Sequence, residues 1–338
     1  MTAGERRIKT DPAPGRPRPL RMLWMTAVWG ACFVAIQWGL RDAPLLWYAA
    51  LRALAAGGAL LALAGVQHRP QPVGRRAWAL LTGLGVINVT VAFAAMFGGV
   101  AGLATGTAAV LANAQPLLIL LPAWWLYGER VAARTAIALV IGFAGLVVVA
   151  LPGGGGSGAG LSLLAAAAIT GGTLLSRRLQ GMDLIVATAW HLLIGGAALA
   201  VFAAITEGPP AINWTPRFIL SLAFLSLIGT AATTVAWFTE ARRSRLDALS
   251  TWTFLTPVFG IGIAAVVLGE RPGGWTAIGL TAVLLAMLVA LTPHRRSRVP
   301  ASATAAGLDR DSESVAERPT KEGRSRHVRR PHRTLTRR

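Results

Sequence analysis

Few side chains in the long apolar stretches of this chain could do chemistry, and their types stand out from their surroundings. Arg52 lies about eight residues, or ~12 Å, into an apolar run. A charge at that depth costs at least about 2.5 kcal/mol on insertion scales, so it must face the protein interior. There it either holds an anionic group such as a substrate carboxylate or serves as a structural arginine bonded to carbonyls. His191 is the one deep group whose ordinary pKa lies near neutrality. It can relay protons, or pack as a neutral, hydrogen-bonded ring. Asn88 sits in the middle of its run and needs an interhelical partner in either case. Pro116 and Pro257 each fall deep in an apolar segment. A proline there lacks an N–H and frees the carbonyl four residues back, at Ala112 and Thr253. At membrane depth a freed carbonyl is tolerated only against protein or a water-filled cavity. Asn113 and Gln115 flank the first proline, and Thr251, Thr253 and Thr256 flank the second. The alternative is a pair of kinks satisfied by neighbours. Trp29, Phe93, Trp237 and Trp252 can wall an apolar pocket for a ligand with an organic body, or belong to ordinary core. The expected binding set is therefore Trp29, Arg52, Asn88, Phe93, Asn113, Gln115, Pro116, His191, Trp237, Trp252, Thr253 and Pro257, with no catalytic and no metal-ligating residues.

The two prolines also betray the elements that carry them. Gln115 to Arg130 reads QPLLILLPAWWLYGER, and Thr256 to Arg271 reads TPVFGIGIAAVVLGER. Proline and glutamate are 13 residues apart in both, and the two stretches are offset by 141. The same offset carries Gly30 onto Gly171, Asp42 onto Asp183, Arg76 onto Arg217 and Phe97 onto Phe238. A constant, gapless shift marks one module used twice. The expected organisation is a basic tail at 1–20, a first module at 21–151, a Gly-rich linker at 152–159, a second module at 160–292 and a basic tail at 293–338. Both tails are too polar to bury a core.

Composition fits a membrane. The chain is 54% hydrophobic and 14% charged, against about a quarter charged in soluble domains. Mean hydropathy is +0.55. Of the net charge of +19, residues 1–22 carry +4 and residues 294–338 carry +8. Nucleic-acid binding is therefore not expected; basic tails beside a membrane attract anionic inner-leaflet lipids. A run of ~20 apolar residues spans the ~30 Å hydrocarbon core. That rule gives ten helices, at 21–40, 44–66, 77–98, 101–126, 132–151, 160–177, 184–206, 217–239, 246–268 and 274–292. With the N-terminus inside, ten loop arginines fall inside and three outside (Arg41, Arg217 and Arg271), the positive-inside pattern. A five-span module starting inside ends outside, so its copy is inverted, a recurring plan of secondary transporters. Gly98, Gly102 and Gly106 give small-xxx-small spacing, read here as close packing at the start of the fourth helix. Glu129 and Glu270 sit at helix ends and read as structural latches compensated by arginines. The lone Cys32 reads as packing.

Two sets of five spans, Trp29-Gly30 in the first helix, Arg52 in the second, and P-x12-E with a terminal GER in the fourth and ninth resemble EamA-type transporters of the drug/metabolite transporter superfamily. The resemblance covers about residues 21–292. It implies an all-α integral membrane protein of ten helices, cytoplasmic termini and a central cavity through which small metabolites move, often outward. The second copy departs from the pattern, with Thr170-Gly171 for Trp29-Gly30 and Leu193 where Arg52 would repeat, so the cavity should be chemically asymmetric. The expected function is a bacterial cell-membrane carrier of amino acids, related amines or drug-like compounds, working by alternating access as an exporter. A channel-like facilitator, a scaffold and an intramembrane enzyme are the competing classes. The sequence has no HExxH or GxSxG, and its two lysines, Lys9 and Lys321, leave no phosphate loop between them. No cofactor is expected; a homodimer is left open.

Overall fold

The computed structural model describes residues 17–119, 122, 125–126, 133–150, 157–270 and 273–291. Glu129, Arg130, Arg271 and both basic tails beyond residues 17 and 291 lie outside them, as does most of the Gly-rich linker. The described residues are all-helical, with no β-strand. In chain order they form α1 (Pro19–Gly39), α2 (Leu45–Val66), α3 (Arg75–Gly102), α4 (Thr105–Ala112), α5 (Gln115–Leu118) and α6 (Ala133–Ala150). There follow α7 (Ser157–Ser176), α8 (Leu184–Thr206), α9 (Pro216–Arg243), α10 (Leu246–Thr251), α11 (Leu255–Val267) and α12 (Gly274–Leu291). Six of these, α1, α2, α3, α7, α8 and α9, are long and apolar enough to cross a membrane. The other expected spans fall on shorter pieces, α4 with α5, α6, α10 with α11, and α12.

Local chemistry sets the ends. Pro19 and Pro216 open α1 and α9 at the position where a missing N–H costs nothing. Asp183 caps α8, accepting from the N–H groups of Ile185 and Val186 at 3.0 and 3.1 Å. The start of α2 is capped from a distance: the Glu207 carboxylate accepts from the N–H groups of Leu46 and Trp47 at 2.9 and 3.1 Å.

Two expected boundaries move. The third helix runs on to Gly102, and the chain extends through Leu103 before α4 begins at Thr105. Gly98 and Gly102 therefore belong to α3 and not to the fourth helix, and they serve close packing on α7. A Cβ at Gly102 would lie 3.2 Å from the Gly158 Cα, and one at Gly98 would lie 2.8 Å from Leu161 Cδ1. Gly106 is in α4 and faces Ile261 of α11.

The main helix pairings are α1 with α11, α2 with α8, α3 with α7 and α6 with α12. Each joins a helix from before the Gly-rich linker to one from after it. Three of the ion pairs do the same. Asp42 binds Arg217 through two bonds of 2.8 and 2.9 Å, and Asp183, its equivalent under the 141 shift, binds Arg69 at 2.7 Å. These pairs sit at opposite ends of α1 and α2, so the two aspartates form no dyad. Buried Glu240 binds Arg21 at 2.9 Å.

Two apolar clusters lie along α1 on either side of Trp29, which packs against both. One gathers Ile36, Tyr48, Phe97, Phe218 and Leu225. The other gathers Met22, Met25, Leu81, Leu84 and Leu249.

Candidate functional site

Between those clusters, at mid-helix depth, is a cavity of about 110 Å³. Its walls follow helical spacing. Trp29, Cys32 and Phe33 share one face of α1, and Arg52 comes from α2. Asn88, Phe93 and Met96 come from α3, and Ile169 and Thr173 from α7. Gly229, Thr230, Thr234, Trp237 and Phe238 come from α9, and Thr256 from α11. Ala112, Asn113 and Gln115 come from the break between α4 and α5.

That break is built by the sequence around Pro116. The N–H groups of Asn113 and Ala114 reach back only three residues, to the carbonyls of Val110 and Leu111, both at 3.2 Å. The Asn113 amide donates to the Ala109 carbonyl at 2.7 Å, completing the bonding that the interrupted helix leaves open. Gln115 is thereby turned toward α7, where its Nε2 donates to the Thr173 hydroxyl at 3.0 Å. The Trp237 indole N–H donates to the same oxygen at 3.2 Å. Trp237 also meets Trp29 edge-on, with centroids 5.2 Å apart.

Two of the long helices on the cavity contain a widened π segment, Val86–Val91 in α3 and Phe224–Ala232 in α9. Such segments loosen the backbone ladder and recur at functional sites. The second exposes the Gly229 carbonyl to Arg52. Arg52 donates from Nε to the Thr230 hydroxyl at 2.7 Å and from Nη2 to the Gly229 carbonyl at 3.3 Å. Its guanidinium carbon lies 4.6 Å from the centroid of the Phe93 ring, a cation–π geometry. Nη1 is buried with no partner among the described residues.

Seven of the twelve expected residues line this cavity: Trp29, Arg52, Asn88, Phe93, Asn113, Gln115 and Trp237. Pro257, Thr253, Trp252 and His191 do not, and the side chain of Pro116 lies outside what is described. Pro116 follows Gln115 on the helix α5. Pro257 is buried in the first turn of α11, rotated one position off the face that Thr256 presents. Thr253 is buried and Trp252 packs against the Met22 and Leu249 cluster, both in a 3-10 turn, Trp252–Phe254. His191 is fully buried on α8. Its Nδ1 lies 3.0 Å from the Ala187 carbonyl, its Nε2 has no partner among the described residues, and its ring leans on Phe238 at 5.6 Å.

The lining residues that sequence reasoning passed over had a signal available. Under the 141 shift Cys32 pairs with Thr173, Asn88 with Gly229, Phe93 with Thr234, Met96 with Trp237 and Gln115 with Thr256. All ten line the cavity. Applying the shift to the candidates already chosen would have found four of them.

The GER motif has a legible geometry at its second occurrence. Gly269 takes a left-handed φ of 70°, which ends α11 and turns the chain back. Glu270 then reaches the N-terminus of α4, accepting from the N–H groups of Thr105 and Gly106 at 3.2 and 3.4 Å. Its described partner is therefore a helix N-terminus, while the neighbouring Arg271 lies outside the described residues. A carboxylate there complements the dipole of α4.

Comparison with known proteins agrees with this arrangement. The EamA-like transporter family matches residues 20–151 and again residues 156–292. A WAT1-related chloroplastic protein of Arabidopsis thaliana is 29% identical over 280 residues, covering 79% of this chain and 67% of the relative. A transporter of Synechocystis sp., uncharacterized as to cargo, is 27% identical over 287 residues, covering 77% and 86%. A probable amino-acid metabolite efflux pump of Escherichia coli is 25% identical over 289 residues, covering 79% and 92%. One solved crystal structure matches with a TM-score of 0.65 at 20% identity, covering 80% of this chain and 95% of that one, a likeness of fold alone.

Proposed function

The chain belongs to the EamA-like transporter family, and on that premise we propose that it is a secondary transporter, an exporter of small organic metabolites across a bacterial inner membrane by alternating access. The observation that carries this reading is the cavity lined by five residue pairs related by the 141 shift. A binding site made of equivalent positions from two halves is what alternating access requires, because rocking one half against the other can expose the same residues to either side. In this proposal the fold is completed as ten helices in two inverted five-helix modules, with α4–α5, α6, α10–α11 and α12 supplying the four spans beyond the six long ones. Both termini are then cytoplasmic, and the basic tails face the anionic inner leaflet.

Two experiments test it. A reporter active only outside, fused after Gly156, should be on, and one fused after Arg338 should be off; the same signal from both sinks the inverted arrangement. Spent medium from deletion and overexpressing strains should differ in one or a few small metabolites, and flux of those compounds into vesicles should saturate. Flux that stays linear with concentration would make the protein a channel.

A further inference from the structure

The cavity carries a charge without a counter-charge, and this names a substrate class for the transport reading on which it rests. Arg52 is only 4% exposed, and it is the one charged residue among the described lining residues. Its three bonding partners, the Thr230 hydroxyl, the Gly229 carbonyl and, at 4.0 Å, the Cys32 sulfur, carry no formal charge. No carboxylate among the described residues forms an ion pair with it. Nη1 is buried and has no partner among the described residues. Phe93 lies over one face of the guanidinium and Phe97 stands 5.9 Å away, so the charge is screened by quadrupoles instead of water. A buried polar group left unsatisfied costs free energy until something bonds it, and a guanidinium fork matches the two oxygens of a carboxylate.

The rest of the described lining holds no carboxylate. Gln115, Thr173 and Trp237 form a neutral cluster in which two N–H donors converge on one hydroxyl oxygen. Asn88, Asn113, Thr234 and Thr256 are neutral as well. The rest of the wall is aromatic or aliphatic. An ammonium group would enter a positively charged cavity and find no anion there.

We propose that the substrate is a small organic monoanion, a carboxylate on an apolar body, with its carboxylate on Arg52 and its body against Trp29, Phe33, Phe93 and Trp237. Cationic amines are disfavoured, because they meet the Arg52 charge and no carboxylate among the described lining residues. The shift-related position, Leu193, is not among the lining residues, so the guanidinium has no counterpart from the second half.

Three probes of similar shape test this on the purified full-length protein in detergent: isovalerate, isovaleramide and isopentylammonium, each titrated by calorimetry. Isovalerate should bind about tenfold to a hundredfold more tightly than the amide, the range for hydrogen bonds to a charged group, and the ammonium should bind more weakly still. Arg52→Gln should bring isovalerate down to the amide's affinity, and Arg52→Lys, which keeps the charge and loses the fork, should fall between. Melting curves establish that each variant is folded; if the Gln variant is not, the wild-type probe series and the Lys variant decide. Ammonium binding equal to or tighter than carboxylate binding overturns the proposal. So does carboxylate binding unchanged in folded Arg52→Gln, or no carboxylate binding at millimolar concentrations. Vesicle flux separates this from the transport reading. A carboxylate that binds but is never moved removes transport and leaves the anion site, whereas saturable flux of amines alone does the reverse.

Discussion

Replacing Gly30 with alanine tests whether the seam between α1 and α11 is as tight as the structure has it. A Cβ at Gly30 would lie 2.7 Å from the Gly260 nitrogen, 2.8 Å from Phe259 Cβ and 3.0 Å from the Phe259 carbonyl carbon. Comfortable contacts between heavy atoms begin near about 3.5 Å, so the helices must part by most of an ångström. Two of the three obstructing atoms are backbone and cannot rotate away. Overpacking of this kind costs about 1–3 kcal/mol, and the helical preference of alanine over glycine returns about 0.5–1 kcal/mol. The net expectation is a loss of up to about 2.5 kcal/mol on those same terms, toward the upper end because the obstruction is fixed to backbone. Gly171, the equivalent position under the 141 shift, supplies the control. Its Cβ would meet only Ile87 Cγ2, at 3.3 Å, the free end of a side chain. Gly171→Ala should therefore be neutral or slightly stabilising. Thermal unfolding in detergent reads both: Gly30→Ala should melt a few degrees low and Gly171→Ala at or above wild type. A Gly30→Ala protein as stable as wild type, or a reversed order of the two, would refute the packing argument.

Glu270→Ala should remove the cap on α4 and cost about 0.5–2 kcal/mol, with Glu270→Gln intermediate because it keeps an acceptor and loses the charge. Faster hydrogen exchange at the Thr105 and Gly106 amides is the expected local signature, and unchanged exchange there would count against the cap. For Asp183, in the loop before α8, burial alone would raise the carboxyl pKa. The Val186 N–H, the Arg69 guanidinium and the Ile185 N–H outweigh it and hold the carboxyl below its ordinary 3.8. Because the folded value is the lower one, the stability this group contributes is fully present above about pH 4 and is lost as pH falls through the folded value. The melting-temperature gap between wild type and Asp183→Asn should thus be flat through neutral pH and narrow only in acid; narrowing already between pH 7 and 6 would contradict the assignment.

How much could be read beforehand differs by feature. The long spans announced themselves, since twenty apolar residues in a row have few other uses. Arg52 was equally plain, because a charge in such a run contrasts with everything near it. Cys32 and Thr173 were not, because small side chains in a helix read as packing whichever way they face. The partner of Glu270 was hidden for a definite reason. With a fourth helix expected to run unbroken from 101 to 126, Thr105 and Gly106 lay inside it and their N–H groups were already spoken for. Only the start of α4 at Thr105 frees them. The π segments left no trace in composition, because a π turn needs no special residue. They are visible only in the backbone.

Those widened turns also say something about ancestry. A module that already contained the extra residue, and was then doubled, leaves it in both halves at one spacing. Asn88 in the first π segment and Gly229 in the second stand 141 residues apart, the same interval that relates Gly30 to Gly171 and Glu129 to Glu270. An insertion acquired by one half alone, after doubling, would have broken that interval from the insertion onward. The constant interval is what a widening older than the two-fold chain would leave, with Asn88 since matched by a glycine and Arg52 by a leucine.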